Sequence, residues 1–282
     1  MTKPGKRAKT LANSSLRYAL LTLLSLFILV PIAWMLSTAF KTEPQTYMPN
    51  PTWIPQPFSF DSFTKFWKIY DFGRMTLNSL ITCAFSTLIC VTASCLSGYG
   101  ITRYKFVGKK LYMGFLLVTQ MFPSVMLVVP FYSILTTYRM NNTLLGLIVV
   151  YAATNVAFST WMMVSYFKTI PTELDEAARV DGASAFYTFW KIILPLTLPG
   201  IASVSIFTFI NGWNEYMYSA VLMSKDSLKT LTVGIVSLNT QYQVKWNDLM
   251  AASSFSCLPL IILFVCFQRY FIAGMTSGAV KS

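Results

Sequence analysis

The sequence predicts an all-α polytopic membrane protein with six transmembrane helices and a helix-turn-helix segment between the fourth and fifth. Three observations carry this. Of the 282 residues, 55% are hydrophobic and only 11% charged, whereas a soluble domain needs roughly a quarter charged residues to cover its surface. Six windows long enough to cross about 30 Å of hydrocarbon at 1.5 Å per residue are free of charge: residues 18–40, 75–102, 111–138, 140–167, 192–214 and 249–268. The Lys and Arg flank these windows instead of gathering on one face, so the net charge of +12 reads as topology-setting and not as a nucleic-acid footprint.

Taken in order, the first window follows Lys3, Lys6, Arg7, Lys9 and Arg17, which mimics a signal peptide. Its apolar stretch is longer than the roughly 7–15 residues of a cleavable core, so it is expected as a retained span. After it, Pro44, Pro49, Pro51, Pro55 and Pro57 keep 43–58 extended. Phe58, Phe60, Phe63, Phe66, Trp67, Tyr70 and Phe72 then form an aromatic patch, either an interfacial anchor or a docking surface. The fifth span is expected to start near Pro199 and run past Glu215 to about Met223. Residues 230–244 are too short and polar to cross lipid and predict a short external helix or a re-entrant turn.

Orientation follows from the basic residues. With both termini cytoplasmic, the inner side collects the N-terminal charges, Arg103, Lys105, Lys109, Lys110, Lys168, Arg179, Lys191, Arg269 and Lys281. The smaller outer set is Lys41, Lys65, Lys68, Arg74, Arg139, Lys225, Lys229 and Lys245. This divides the chain into a tail at 1–17, a membrane domain at 18–272 and a tail at 273–282.

Several function classes recede. Histidine is absent, which removes the commonest general base and metal ligand, so no catalytic residue and no metal ligand is assigned. Cys83, Cys90, Cys95, Cys257 and Cys266 lie in apolar runs, without disulfide or zinc spacing. No phosphate-binding G-x-x-x-x-G-K-[ST] loop occurs. An ion-coupled secondary transporter would show several intramembrane charges, yet Glu215 stands nearly alone.

The segment 170–195 is the most informative. Thr172 is placed to cap a helix whose first turn holds Glu173, Asp175 and Glu176, complementing the helix dipole. Asp181-Gly182 breaks it, and Ser184 can cap a second helix. Glu176-Ala177-Ala178, then Gly182, Ile192 and Leu194-Pro195 at these spacings resemble the EAA loop of inner-membrane permeases of ATP-binding-cassette importers. Met121-Phe122-Pro123, Val129-Pro130-Phe131-Tyr132, Asn142-Thr143-Leu144-Leu145-Gly146-Leu147 and Asn211-Gly212-Trp213-Asn214-Glu215-Tyr216 are similar to the carbohydrate branch typified by the G-type permease of the maltose system. So is the tail Gly274-Met275-Thr276-Ser277-Gly278-Ala279-Val280-Lys281.

That resemblance implies a multi-pass inner-membrane permease subunit forming half of a path for a sugar. Its partners would be a second, homologous permease, a cytoplasmic ATPase dimer, an extracytoplasmic binding protein and membrane lipid. ATP and Mg would sit on the ATPase, with no cofactor on this chain. Glu173, Glu176, Ala177, Ala178, Asp181, Gly182, Leu194 and Pro195 would couple to the ATPase, the alanines giving a small face for close approach. Gly274, Thr276, Gly278 and Lys281 would reach its dimer interface. Asn211, Trp213, Asn214 and Glu215 are apt for a sugar path, though in that branch the partner permease makes most sugar contacts. Glu215 reads equally as a structural pairing group. A polyol or glycerol phosphate remains an alternative cargo.

Overall fold

The computed structural model describes residues 4–239 and 244–279, with side chains within 14–268. Among the described residues there is no β-strand, only an isolated antiparallel bridge between Asn239 and Val244. The chain divides into two units, 1–70 with 237–256 and 71–236 with 257–282.

In the first unit, α1 (Pro4–Ala39) contains a span-length apolar segment, Ser14–Ala39, whose most apolar window is not buried inside the chain, while Thr38 and Ala39 at its end are buried. The proline-rich stretch is extended as expected, except that Glu43–Thr46 makes one helical turn, α2. Pro44 is tolerated there because the first turn has no N–H bond for proline to lose. The Thr42 amide donates to Gln45 Oε1 at 2.8 Å.

The aromatic patch splits in two. Phe58 stacks on Phe40 at 4.5 Å and stays exposed, as do Phe60 and Trp67. Phe66, by contrast, is buried in α3 (Asp61–Lys68) against Phe255 at 4.9 Å. The Tyr70 hydroxyl donates to Asp248 Oδ2 at 3.2 Å, and burial with that carboxylate pushes its pKa up to about 12. Asn247 Nδ2 donates to Ser62 Oγ at 2.9 Å. Asn247 and Asp248 belong to α14 (Trp246–Ala279).

The second unit holds α4 (Phe72–Arg103), α5 (Lys109–Met121), α6 (Ser124–Thr137) and α7 (Leu144–Phe167). Then come α8 (Glu173–Val180), α9 (Ala185–Tyr187), a π-helical stretch Thr188–Ile193 and α10 (Leu194–Leu196). It ends with α11 (Leu198–Asn214), α12 (Met217–Leu222) and α13 (Leu231–Ser237), so the short-helix alternative for 230–244 is the one found. Phe72, at the start of α4, is a core residue and not part of an exposed patch.

All six apolar segments are present, but only four are unbroken: Ser14–Ala39, Phe72–Arg103, Leu144–Phe167 and Trp246–Gln268. The third expected span is bent by 104° between Met121 and Ser124. Pro123 explains this, because it removes a helical donor and drives the preceding residue out of the α region; Phe122 is extended at φ −75°, ψ 123°. The fifth is bent by 76° at Thr197, between Pro195 and Pro199. It starts at Leu198, as expected, but does not run on to Met223. Helix α11 stops at Asn214, Glu215 is extended, and α12 starts afresh at Met217.

Candidate functional site

Helices α7 and α11 are joined by matched polar pairs. The Tyr151 hydroxyl donates to Glu215 Oε2 at 2.8 Å, Asn211 Nδ2 to Asn155 Oδ1 at 3.0 Å, Ser159 Oγ meets Thr208 Oγ1 at 3.3 Å, and Tyr166 Oη meets Ser203 Oγ at 3.1 Å. Residue numbers rise along α7 as they fall along α11, so the helices run antiparallel with a rung about every turn. Small residues permit this approach. A Cβ on Gly200 would lie 2.5 Å from Tyr166 Cγ, and one on Gly212 3.3 Å from Tyr151 Cδ2. In hydrocarbon, where apolar surface drives no association, close packing and interhelical hydrogen bonds are what hold spans together.

Glu215 makes structural contacts and also faces a cavity. Its carboxylate accepts from Tyr151 and from the amides of Tyr218 and Ser219 at 2.7 and 3.1 Å, capping the first turn of α12. It also lines a cavity of about 590 Å³ with Gln120, Phe122, Phe131, Asn155 and Asn211, among others. Residues on both sides of the α5–α6 break, among them Gln120, Phe122 and Ser124, line this cavity. Amide and hydroxyl groups alternating with aromatic faces suit a neutral polar ligand. Trp213 does not reach the cavity. It is 1% exposed and stacks on Phe209 at 5.8 Å. Asn214 is exposed elsewhere, at the end of α11, and is not among the lining residues.

The helix-turn-helix segment forms as its residues direct, with two differences. Gly182 adopts φ +79°, and a Cβ there would meet nothing within 4 Å, so glycine is needed for the left-handed backbone and not for room. Ser184 Oγ accepts from the Tyr187 amide at 3.2 Å. Thr172, however, caps α8 through its carbonyl, which accepts from Asp175 and Glu176, and not through its side chain. The two alanines also part company: Ala177 is exposed, while Ala178 is packed inside this chain at 5% exposure. The small outer face is therefore Ala177 alone.

Glu173, Glu176 and Asp181 point to solvent, Pro195 is exposed and Leu194 half-buried. A shallow cleft of about 520 Å³ beside them is lined by Asp181, Gly182, Ser184, Tyr187 and Ile192, among others. Gly274, Thr276 and Gly278 fall in α14 with side chains outside the described residues, and Lys281 lies outside the described residues altogether.

One anchor was not foreseen. Asp175 Oδ2 lies 2.8 Å from Arg103 Nε, with the two side chains only 12% and 7% exposed. The Tyr99 hydroxyl donates to Asp175 Oδ1 at 2.7 Å, and Arg103 Nη2 donates to the Ile170 carbonyl at 2.9 Å. Helix α8 is thus tied to the end of α4. Val180 and Phe186, 87% and 74% exposed, are apolar residues left uncovered around the turn. Their signal was an aliphatic and an aromatic side chain flanking an otherwise charged and small turn.

Residues 90–277 match the model of the family described as binding-protein-dependent transport system inner membrane component. The chain belongs to this family. This inner membrane component is 31% identical to the probable ABC transporter permease protein YurM of Bacillus subtilis over 99% of this chain and 92% of that protein. It is 32% identical to the trehalose/maltose transport system permease protein MalG of Thermococcus litoralis over 92% and 94%. It is likewise 32% identical to the diacetylchitobiose uptake system permease protein DasC of Streptomyces coelicolor over 89% and 91%. In fold it is similar to a chain of a bacterial ABC transporter involved in the import of the acidic polysaccharide alginate, with a TM-score of 0.79, 21% identity, and coverage of 96% of this chain and 99% of that one. By its family the chain is the inner membrane component of a binding-protein-dependent transport system, and its apolar segments fit a membrane permease.

Proposed function

We propose that this permease forms half of the membrane path for a carbohydrate, delivered by an external binding protein and driven by a partner ATPase. The observation that carries the reading is the helix-turn-helix. It holds Glu173, Glu176, Ala177, Asp181 and Gly182 at the surface while Asp175 fixes it to α4. A charged, small-faced elbow with a rigid attachment suits a cleft in an ATPase subunit, where Glu176 would meet a basic group with water excluded. ATP and Mg then sit on the ATPase, and both termini of this chain lie in the cytoplasm. Leu194 and Pro195 relay movement of the elbow into α11, and the tail from Gly274 through Thr276 and Gly278 to Lys281 reaches the ATPase dimer. A second, homologous permease supplies the other half of the path and cover for α1, whose apolar window is not buried in its own chain.

A sugar is supported by the relatives named for trehalose, maltose and diacetylchitobiose uptake and by the cavity of Gln120, Asn155, Asn211 and Glu215 with its aromatic walls. The test is Gly182→Leu in the importer reconstituted in vesicles, with ATP hydrolysis and sugar uptake followed together. A side chain in the left-handed region costs about 1–2 kcal/mol, enough to re-form the turn without unfolding the bundle. Hydrolysis is expected to continue with uptake severely reduced. Tightly coupled uptake at the wild-type ratio would refute the assignment.

A further inference from the structure

Where α4 ends and α5 begins, an apolar groove of about 500 Å³ opens within a basic stretch of the chain. Its floor is Ser97, Gly100 and Ile101 of α4, and its walls are Tyr104, Phe106 and Tyr112. Ser97 and Gly100 share one helix face, and nothing lies within 4 Å of where a Gly100 Cβ would point, so the slot is open. The chain around it carries a basic collar, Lys105, Lys109 and Lys110, adjacent in sequence to the lining residues Tyr104, Phe106 and Gly108, and none of the three forms an ion pair among the described residues. The Asp175 carboxylate is already held by Arg103. Gly108, at φ +91°, starts α5 without a side-chain cap, and no acidic residue occupies its first turn. The first amides of that helix therefore face outward without intrahelical partners.

The loop 104–108 joins two membrane-spanning segments, so groove and collar straddle the level at which hydrocarbon gives way to headgroups. A soluble acidic partner would complement the lysines but leave an apolar trough of the α4 span unfilled. An ordinary zwitterionic lipid would fill the trough but leave the lysines uncompensated.

We infer that this groove is a binding site for an anionic phospholipid. One acyl chain lies along Ser97 and Gly100 between the aromatic walls, and the phosphate is held by Lys105, Lys109, Lys110 and the first-turn amides of α5. Basic residues at a membrane face attract anionic headgroups additively, and aromatic walls at the headgroup level fit the same depth. The site does not depend on which solute is carried.

The assembled importer, purified from membranes rich in phosphatidylglycerol, is the material for the test, with retained phosphatidylglycerol counted by native mass spectrometry. Replacing the lysines together, Lys105→Gln, Lys109→Gln and Lys110→Gln, is expected to weaken retention roughly a hundredfold. Gly100→Leu, which fills the slot and leaves every charge in place, is expected to abolish it as well. Retention unchanged in either variant overturns the proposal, because loss with the lysines alone means diffuse surface attraction. Displacement of the lipid by millimolar inorganic phosphate also overturns it, as does loss of the ATPase from the lysine variant with lipid retained. Should the variants fail to assemble, a photoactivatable phosphatidylglycerol on the unmodified importer decides the matter. Labelling of the 97–112 peptide is expected, and labelling confined to other peptides refutes the site.

Discussion

Asp175 shows how one carboxylate can fix a helix to its neighbour. It is nearly buried, paired with Arg103 and bonded by Tyr99, so removing it strands a guanidinium at the end of α4. Breaking one side of a buried pair costs about 3–5 kcal/mol, and the Ile170 carbonyl still bound to Arg103 offsets part of that. Asp175→Ala is therefore expected to lower the thermal midpoint of the purified importer, whereas Arg103→Met with Asp175→Leu should lose less than the sum of the single changes. Additive losses in that cycle would show that the pair does not act as a unit. Tyr70 offers a pH counterpart. Its folded pKa is raised to about 12 from 10.0, so the stability its protonated hydroxyl contributes is complete below pH 10 and lost as pH rises through 12. Tyr70→Phe should flatten the stability profile across that window, which alkaline unfolding followed by fluorescence would read.

Among the elements, the α7–α11 pair sets small effects against a larger one. An interhelical hydrogen bond in a membrane averages about 0.6 kcal/mol, while forcing a methyl group into a packed contact costs about 1–3 kcal/mol. Gly200, with Tyr166 lying where its Cβ would go, should therefore matter more than the rung beside it. Gly200→Ala is expected to destabilise the importer more than Ser203→Ala in a thermal scan, and the reverse order would show that the hydrogen bonds, and not close packing, hold the two helices together. Helices of this kind were legible as charge-free windows, because composition reports hydrocarbon depth. Their breaks were not, since a proline in a span is compatible with a mild kink or with the 104° bend that Pro123 produces, and only the packing of neighbours decides between them. Trp213 was misplaced for a related reason. Its neighbours Asn211 and Glu215 face the cavity, but at 100° per residue it falls on the buried side of α11.

For the whole molecule, the elbow was readable from its spacing of Glu176, Gly182 and Pro195, whereas the anchor of Asp175 on Arg103 joins residues far apart in sequence and left no periodic trace. If α1 is covered by a second permease, a photocrosslinker placed at Phe27, 76% exposed in this chain, should capture that subunit in the assembled importer; capture of lipid alone would remove that contact. The 76° angle at Thr197 sets what the elbow can do mechanically. Its two arms stand nearly at right angles, so thrust delivered along the Ala185–Leu196 arm would arrive across the axis of α11 as torque. The α11 arm would then swing about its far end instead of sliding lengthwise, and the polar rungs would carry α7 round with it as the second rail of a ladder.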